Sequence, residues 1–283
     1  MKGAILSVVV ALGVGFYTLL ERKTLSYMQS RKGPNKPGLS GMVQPLSDAI
    51  KLFTKEKTNM FYTSTLFALV PVLFMSLIFT TWWFYFCNLT SVYICLGAIL
   101  LICLSSLSVY GIFFSGWTSN SKYALMGSMR GLAQTISYEV CMSILILIAI
   151  LSLYTADFAS MTLPVGLHNP LLLAMWTICI PAETNRTPFD HAEGESELVS
   201  GFNTEYSGGL FSFLFIAEYG SVILMSMITS ILFFSSYTLF FYLYMFMFLW
   251  LRATEPRMRY DTLMMTAWKT LLALSLCWGL TWV

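Results

Sequence analysis

Charge is what this 283-residue sequence has least of: Asp, Glu, Lys and Arg make up 11%, where a soluble domain carries about 25%. With 57% hydrophobic residues and a mean hydropathy of +0.71, a water-soluble fold is excluded. Histidine is nearly absent. Only His168 and His191 occur, too few for a zinc site and without the pairing a haem needs. No C-x-x-C pair exists; Cys87, Cys95, Cys103, Cys141, Cys179 and Cys277 lie in or beside apolar stretches and read as small buried hydrophobes. A glycine-rich phosphate loop and a Ser/His/Asp set are also missing, so no familiar motif holds a flavin, iron–sulfur cluster or haem. Redox chemistry is therefore assigned to a partner. The net charge is only +2, and no basic stripe interleaved with aromatics points to nucleic acid.

What the sequence has is long apolar runs. A membrane-crossing helix needs about 20 mostly apolar residues, and the runs predict an all-α integral membrane protein forming one polytopic domain, 1–283. Its eight spans fall near residues 3–20, 66–86, 92–114, 132–154, 163–181, 210–234, 236–251 and 262–282. The first is kept as a span rather than a signal peptide, because Glu21-Arg22-Lys23 stands where a small-residue cleavage site belongs. Leu210 to Leu251 is an unbroken apolar run of 42 residues, twice a span, and is divided near Ser235-Ser236.

Basic residues test that topology, since they gather on one side of a membrane. Fourteen of the 16 lysines and arginines fall in the odd-numbered connections, leaving Lys2 at the N-terminus and Lys269 inside the last span. Both termini then lie on the opposite face. In the first connection, Leu46, Ala49, Ile50 and Phe53 follow Pro45 at helical spacing, which predicts an amphipathic helix on the membrane surface, anchoring rather than binding a ligand. The preceding Arg31-Lys32-Gly33-Pro34-Asn35 is a basic segment ending in a turn, suited also to anionic headgroups. Trp250 to Asp261 is a compact charged turn whose arginines and aromatics are sufficient for interfacial anchoring.

Two carboxylates lie inside apolar runs, Glu139 in the fourth span and Glu218 about two turns into the sixth. A charge at mid-bilayer costs about 2.5–3.5 kcal/mol even on lenient scales, so such residues face protein-lined polar cavities. Arg130, nine residues before Glu139, lies on the other side of the same helix and cannot neutralise it. Proton relay and interhelical hydrogen bond are both open for these groups. From Ala182 to Tyr206 runs an acidic segment with six carboxylates against the single Arg186. Asp190, Glu193 and Glu197 share a face if the stretch is helical, and their repulsion favours coupled titration. A solvated acidic loop explains the same composition, while the spacing fits no EF-hand.

Five stretches, read together, resemble subunit 1 of respiratory NADH:ubiquinone oxidoreductase (complex I) and its bacterial counterpart. They are ERKTLSYMQSRKGPNKPGLSGMVQPLSDAIKLFTKE (21–56), SGWTSNSKYALMGSMRGLAQTISYEV (115–140), AETNRTPFDHAEGESELVSGFNTEY (182–206), FIAEY (215–219) and LWLRATEPRMRYDTLM (249–264). The resemblance implies an eight-helix core subunit that forms much of the quinone passage. Ubiquinone is then the substrate of the complex, while NADH, FMN and iron–sulfur clusters belong to hydrophilic partner subunits and no cofactor binds this chain. It also implies a relay of Glu139, Glu183, Asp190, Glu193, Glu195 and Glu218, with Arg22, Arg31, Asp48, Arg186 and Arg259 near the quinone path. Other complex I subunits and lipid are the implied partners. The implied location is the mitochondrial inner membrane, with the bacterial plasma membrane as alternative and the charged odd-numbered connections facing the matrix.

Some positions depart from the family pattern: His191, whose imidazole ordinarily titrates near pH 6.5, Glu255, Lys36-Pro37, and Ala273 where a proline is expected. A membrane anchor of a related hydrogenase would keep the same connections. An autonomous ion antiporter is disfavoured, because no inverted repeat or matched pair of interrupted helices is visible.

Overall fold

The structure is a computed structural model that describes residues 2–56, 65–87, 96–153, 164–192, 194, 201–235 and 238–281. Those residues form helices and turns with no strand among them. In chain order the helices are α1 (Lys2–Met28), α2 (Gln44–Thr54), α3 (Leu66–Cys87), α4 (Gly97–Thr118) and α5 (Lys122–Leu153). There follow α6 (Val165–His168), α7 (Pro170–Glu183), α8 (Gly208–Phe234), α9 (Leu239–Thr254) and α10 (Tyr260–Leu280). Six of them, α1, α3, α4, α5, α8 and α10, are long and apolar enough to cross a membrane, while α7 and α9 are shorter apolar helices. The protein is an all-α membrane protein.

Several boundaries differ from the sequence-based ones for local reasons. Helix α1 continues eight residues past Leu20, so Glu21, Arg22 and Lys23 are helical rather than part of a loop. Good helix formers carry it on until Ser30 takes a left-handed conformation (φ 56°). The segment before α2 then turns sharply at Gly41 (φ 82°), where a Cβ would lie 2.0 Å from the Pro34 carbonyl oxygen. Helix α5 starts at Lys122, ten residues ahead of its apolar run, and extends for 32 residues or about 48 Å. The region around 163–181 is broken at Asn169 into α6 and α7, and α7 carries Pro181 through to Glu183. In the 42-residue run α8 stops at Phe234, capped by Ser235 in the left-handed conformation (φ 48°). A π-helical turn, Thr266–Leu271, interrupts α10.

Two helices organise the packing. Helix α8 is the central one, with α1, α2, α3, α6 and α9 against it; α5 is the other, with α4, α7 and α10 around it. Small residues let these neighbours approach closely. A Cβ on Gly111 of α4 would lie 2.4 Å from the Phe74 ring of α3, and one on Gly116 would lie 2.1 Å from Ser128 Oγ on α5. The cysteines divide: Cys141 and Cys179 are buried, but Cys103 and Cys277 are exposed. The expectation of buried cysteines is thus corrected for those two, since an apolar side chain on a membrane helix is equally at home on its outer surface. The side chain of Cys87 and all of Cys95 lie outside the described residues.

Candidate functional site

Where α1, α8 and α9 meet the start of the acidic segment, two carboxylates and two guanidinium groups are held together. Glu21 on α1 is buried and pairs through Oε1 with Arg252 of α9, while its Oε2 accepts the Tyr219 hydroxyl at 2.6 Å. Arg186 lies over the Tyr219 ring, 4.1 Å from its centroid, and reaches Glu218 Oε2 at 3.5 Å. Asn203 Nδ2 donates to Glu218 Oε1 at 3.4 Å. Tyr17 closes the group edge-on to Tyr219, with centroids 5.9 Å apart. In a low-dielectric interior such charges persist only when matched, and here Tyr219 links the two pairs by offering a hydroxyl to one and a π-face to the other.

The acidic segment is fixed from three sides. Gln134, fully buried on α5, donates through Nε2 to the carbonyls of Ala182 (2.8 Å) and Phe189 (2.7 Å). Gly127 and Gly131, four residues apart on the same helix, leave room for it: Cβ atoms there would lie 2.9 Å from Gly201 Cα and 2.9 Å from Ala192 Cβ. From the turn before α10, Arg257 pairs with Asp190 Oδ2 at 3.3 Å and the Met258 amide donates to Pro188 O at 3.0 Å, while Tyr260, the first residue of α10, meets His191 edge-on at 6.0 Å. Thr187–Pro188 is a cis peptide. At the far end Tyr206 stacks on Phe67 with centroids 4.2 Å apart and donates to Ser115 O at 3.3 Å. Burial pushes its phenol up to about 12, so it is a neutral donor at working pH.

Between α3, α4, α5 and α8 lies a cavity with about 70 Å³ of room for the centres of water molecules. One water needs roughly 10–15 Å³ by that measure, so several fit. Glu218, Glu183 and Asn185 line one part of it, and Ser105 and Ser108 line another. Glu183 Oε2 and Asn185 Oδ1 are buried without a hydrogen-bond partner. Ser105 Oγ donates to Glu139 Oε1 at 3.5 Å. A carboxylate pair on one wall is thus joined, through a space of water size and one hydroxyl, to the carboxylate on α5.

A family model described as NADH dehydrogenase matches residues 1–283. The chain is 46% identical to NADH-ubiquinone oxidoreductase chain 1 of Anopheles gambiae over 297 residues, covering 97% of this chain and 91% of that protein. The chain belongs to this family. Chain 1 of Emballonura alecto is 47% identical (94% of this chain, 90% of that one), and chain 1 of Trichosurus vulpecula 45% (97% and 92%).

Of the positions singled out for this member of the NADH-ubiquinone oxidoreductase chain 1 family, Glu218 and Arg186 meet, and Glu183 shares their cavity. Glu139 reaches that cavity through Ser105. Asp190 is held on the side facing the α9–α10 turn and is not helical, while Glu193, Glu195 and Glu197 lie outside the described residues. Arg22 and Asp48 join α1 to α2 in a half-exposed pair at 2.8 Å. Arg31 and Arg259 are not brought to the cluster: Arg31 is exposed beside Gln29, and Arg259, 82% exposed, pairs with Asp261 at 3.0 Å. Glu21, Tyr219, Arg252 and Gln134 were not singled out. The signal for Gln134 was an amide four residues before Tyr138 on one face of α5; for Glu21 there was none, because its partners are about 200 and 230 residues away. Among the described residues no group of His, Cys, Asp and Glu is arranged to hold a metal ion.

Proposed function

We propose that this chain is a core membrane subunit of an NADH:ubiquinone oxidoreductase that lines the quinone passage and opens the acidic path along which protons leave it. The cavity whose wall holds Glu183 and Glu218, and whose Ser105 donates to Glu139, carries the reading. A proton arriving on Glu218 or Glu183 moves through waters in that space to the Ser105 hydroxyl and on to Glu139. Asp190, Glu193 and Glu195 supply the start of the path. Arg186 holds Glu218 against the acidic segment, and Arg22, Arg31, Asp48 and Arg259 line the approach of the quinone headgroup. NADH oxidation, FMN and iron–sulfur clusters belong to partner subunits; ubiquinone is the substrate that this chain guides.

In this reading eight helices cross the membrane: the six long ones together with α7 and α9, which at 14 and 16 residues reach about 21 and 24 Å. Helices that short match a locally thinned or protein-lined section of bilayer. Helix α2 lies on the surface, with exposed Leu46, Ile50 and Phe53 toward the acyl chains and Lys51 and Lys55 toward headgroups. The basic connections face the matrix of a mitochondrion; a bacterial cytoplasm is the alternative.

Glu183→Gln in the assembled complex tests the relay. The rate of proton translocation falls about a hundredfold, the lower end of what a positioned proton carrier contributes, while the complex assembles and still oxidises NADH. Undiminished translocation rules the path out.

A further inference from the structure

Helix α10 carries a charge that no described residue of its own chain answers. The helix turns Leu263, Ala267, Leu271 and Ser275, all buried, toward α5, its main neighbour. Tyr138 donates to Leu263 O at 3.1 Å, Cys141 Sγ approaches Ala267 O at 3.7 Å, and Trp268 Nε1 donates to Ser137 Oγ at 3.3 Å. Lys269 lies in the π-helical turn, two residues from both Ala267 and Leu271, which places it about half a turn around the helix, on the side opposite α5. It is exposed, as are Met265, Ala273 and Leu276 one or two turns away.

Lys269 is eight residues from Asp261 and eleven from Leu280, about 12 Å and 16 Å along the axis, near the middle of this 21-residue apolar helix. That distance exceeds what a four-carbon stem covers on its way to a headgroup. Among the described residues it has no hydrogen bond or ion pair. Glu139, on the neighbouring helix, is engaged by Ser105 on α4, and Asp261 pairs with Arg259. An ammonium at this depth is retained where a counter-charge meets it, and Ala273, one turn on, leaves the close approach that small residues give packed membrane helices.

We propose that the face of α10 centred on Lys269 docks a membrane-spanning helix of a neighbouring subunit, and that this helix presents a carboxylate to Lys269 at the same depth. The proposal rests on the reading of this chain as one subunit of a membrane complex. The native complex tests both, separately. If the chain is isolated from its membrane without other membrane chains, the subunit reading fails. If the complex is isolated and its experimental structure places an Asp or Glu of another chain within 4 Å of Lys269 Nζ, the docking face is established; a lipid phosphate, water or acyl chains there overturn it. Lys269→Met supplies the energetic arm. The intact complex surviving mild detergent drops about fivefold, Lys269→Arg restores it, and a wild-type yield from Lys269→Met overturns the proposal.

Discussion

Two partly buried glutamates on different helices are handled in opposite ways. Glu218 on α8 is met by the Arg186 guanidinium, which also lies on the Tyr219 ring, and the adjacent Glu21–Arg252 pair extends the arrangement to α1 and α9. Glu139 on α5 is met by the Ser105 hydroxyl, and Arg130 cannot turn to it. One site is cross-braced by matched charges and ties four parts of the chain together; the other is a single carboxylate beside a hydroxyl. Matched charges in a poorly solvated interior resist the removal of either partner, because the survivor is left uncompensated. A carboxylate beside a hydroxyl leaves no buried cation uncompensated when it is neutralised, so its removal costs little. The contrast is between a carboxylate braced by a guanidinium and one that meets no cation among the described residues.

The largest expected effect comes from breaking the brace. Arg186→Met leaves Glu218 and Tyr219 without their cation, and the assembled complex loses about 3–5 kcal/mol, the cost of unpairing a buried charge. Adding Glu218→Gln removes the orphaned carboxylate and recovers part of the loss in thermal melting of the purified complex. A double variant as unstable as Arg186→Met shows that the pair is not what Arg186 stabilises.

An intermediate effect tests whether the brace depends on the seat of the acidic segment. Gly127→Ala puts a Cβ 2.9 Å from Gly201 Cα and 3.1 Å from Ala192 O. Both neighbours are backbone and give way only together, so a loss of about 1–3 kcal/mol follows, with faster proteolytic cleavage of the segment as the readout. Cleavage at the wild-type rate means that the segment tolerates displacement.

The smallest stability effect belongs to Glu139→Gln, about 1 kcal/mol or less by melting, since an amide keeps the bond from Ser105. Proton translocation is lost all the same. A destabilisation as large as that of Arg186→Met erases the contrast and makes Glu139 structural.

The sequence made much of this legible. Apolar runs of span length against sparse charge indicate a helical membrane protein, because backbone groups in lipid are satisfied within helices. The isolated Glu139 and Glu218 stand out for the same reason, and the motif strings identify the family. Helix ends were less legible: α1 and α5 run on into more polar stretches, and α5 does so through Gly127 and Gly131, where packing against the acidic segment overrides local propensity. The partners were not legible at all. That Glu218 meets Arg186, that Glu21 meets Tyr219 and Arg252, and that Gln134 holds the acidic segment depend on which helix faces which.

By itself the sequence determined the solvent this protein folds in, its helical class, its family and the few polar groups placed where lipid would otherwise be. Only the tertiary structure decided which of those groups are neutralised, by Arg186 or Arg252, and which are left to a hydroxyl, as Glu139 is. The physical reason is range: hydropathy and helix periodicity act over one turn or one span, whereas a buried charge is balanced by whatever reaches it within a few ångströms, however distant in the chain.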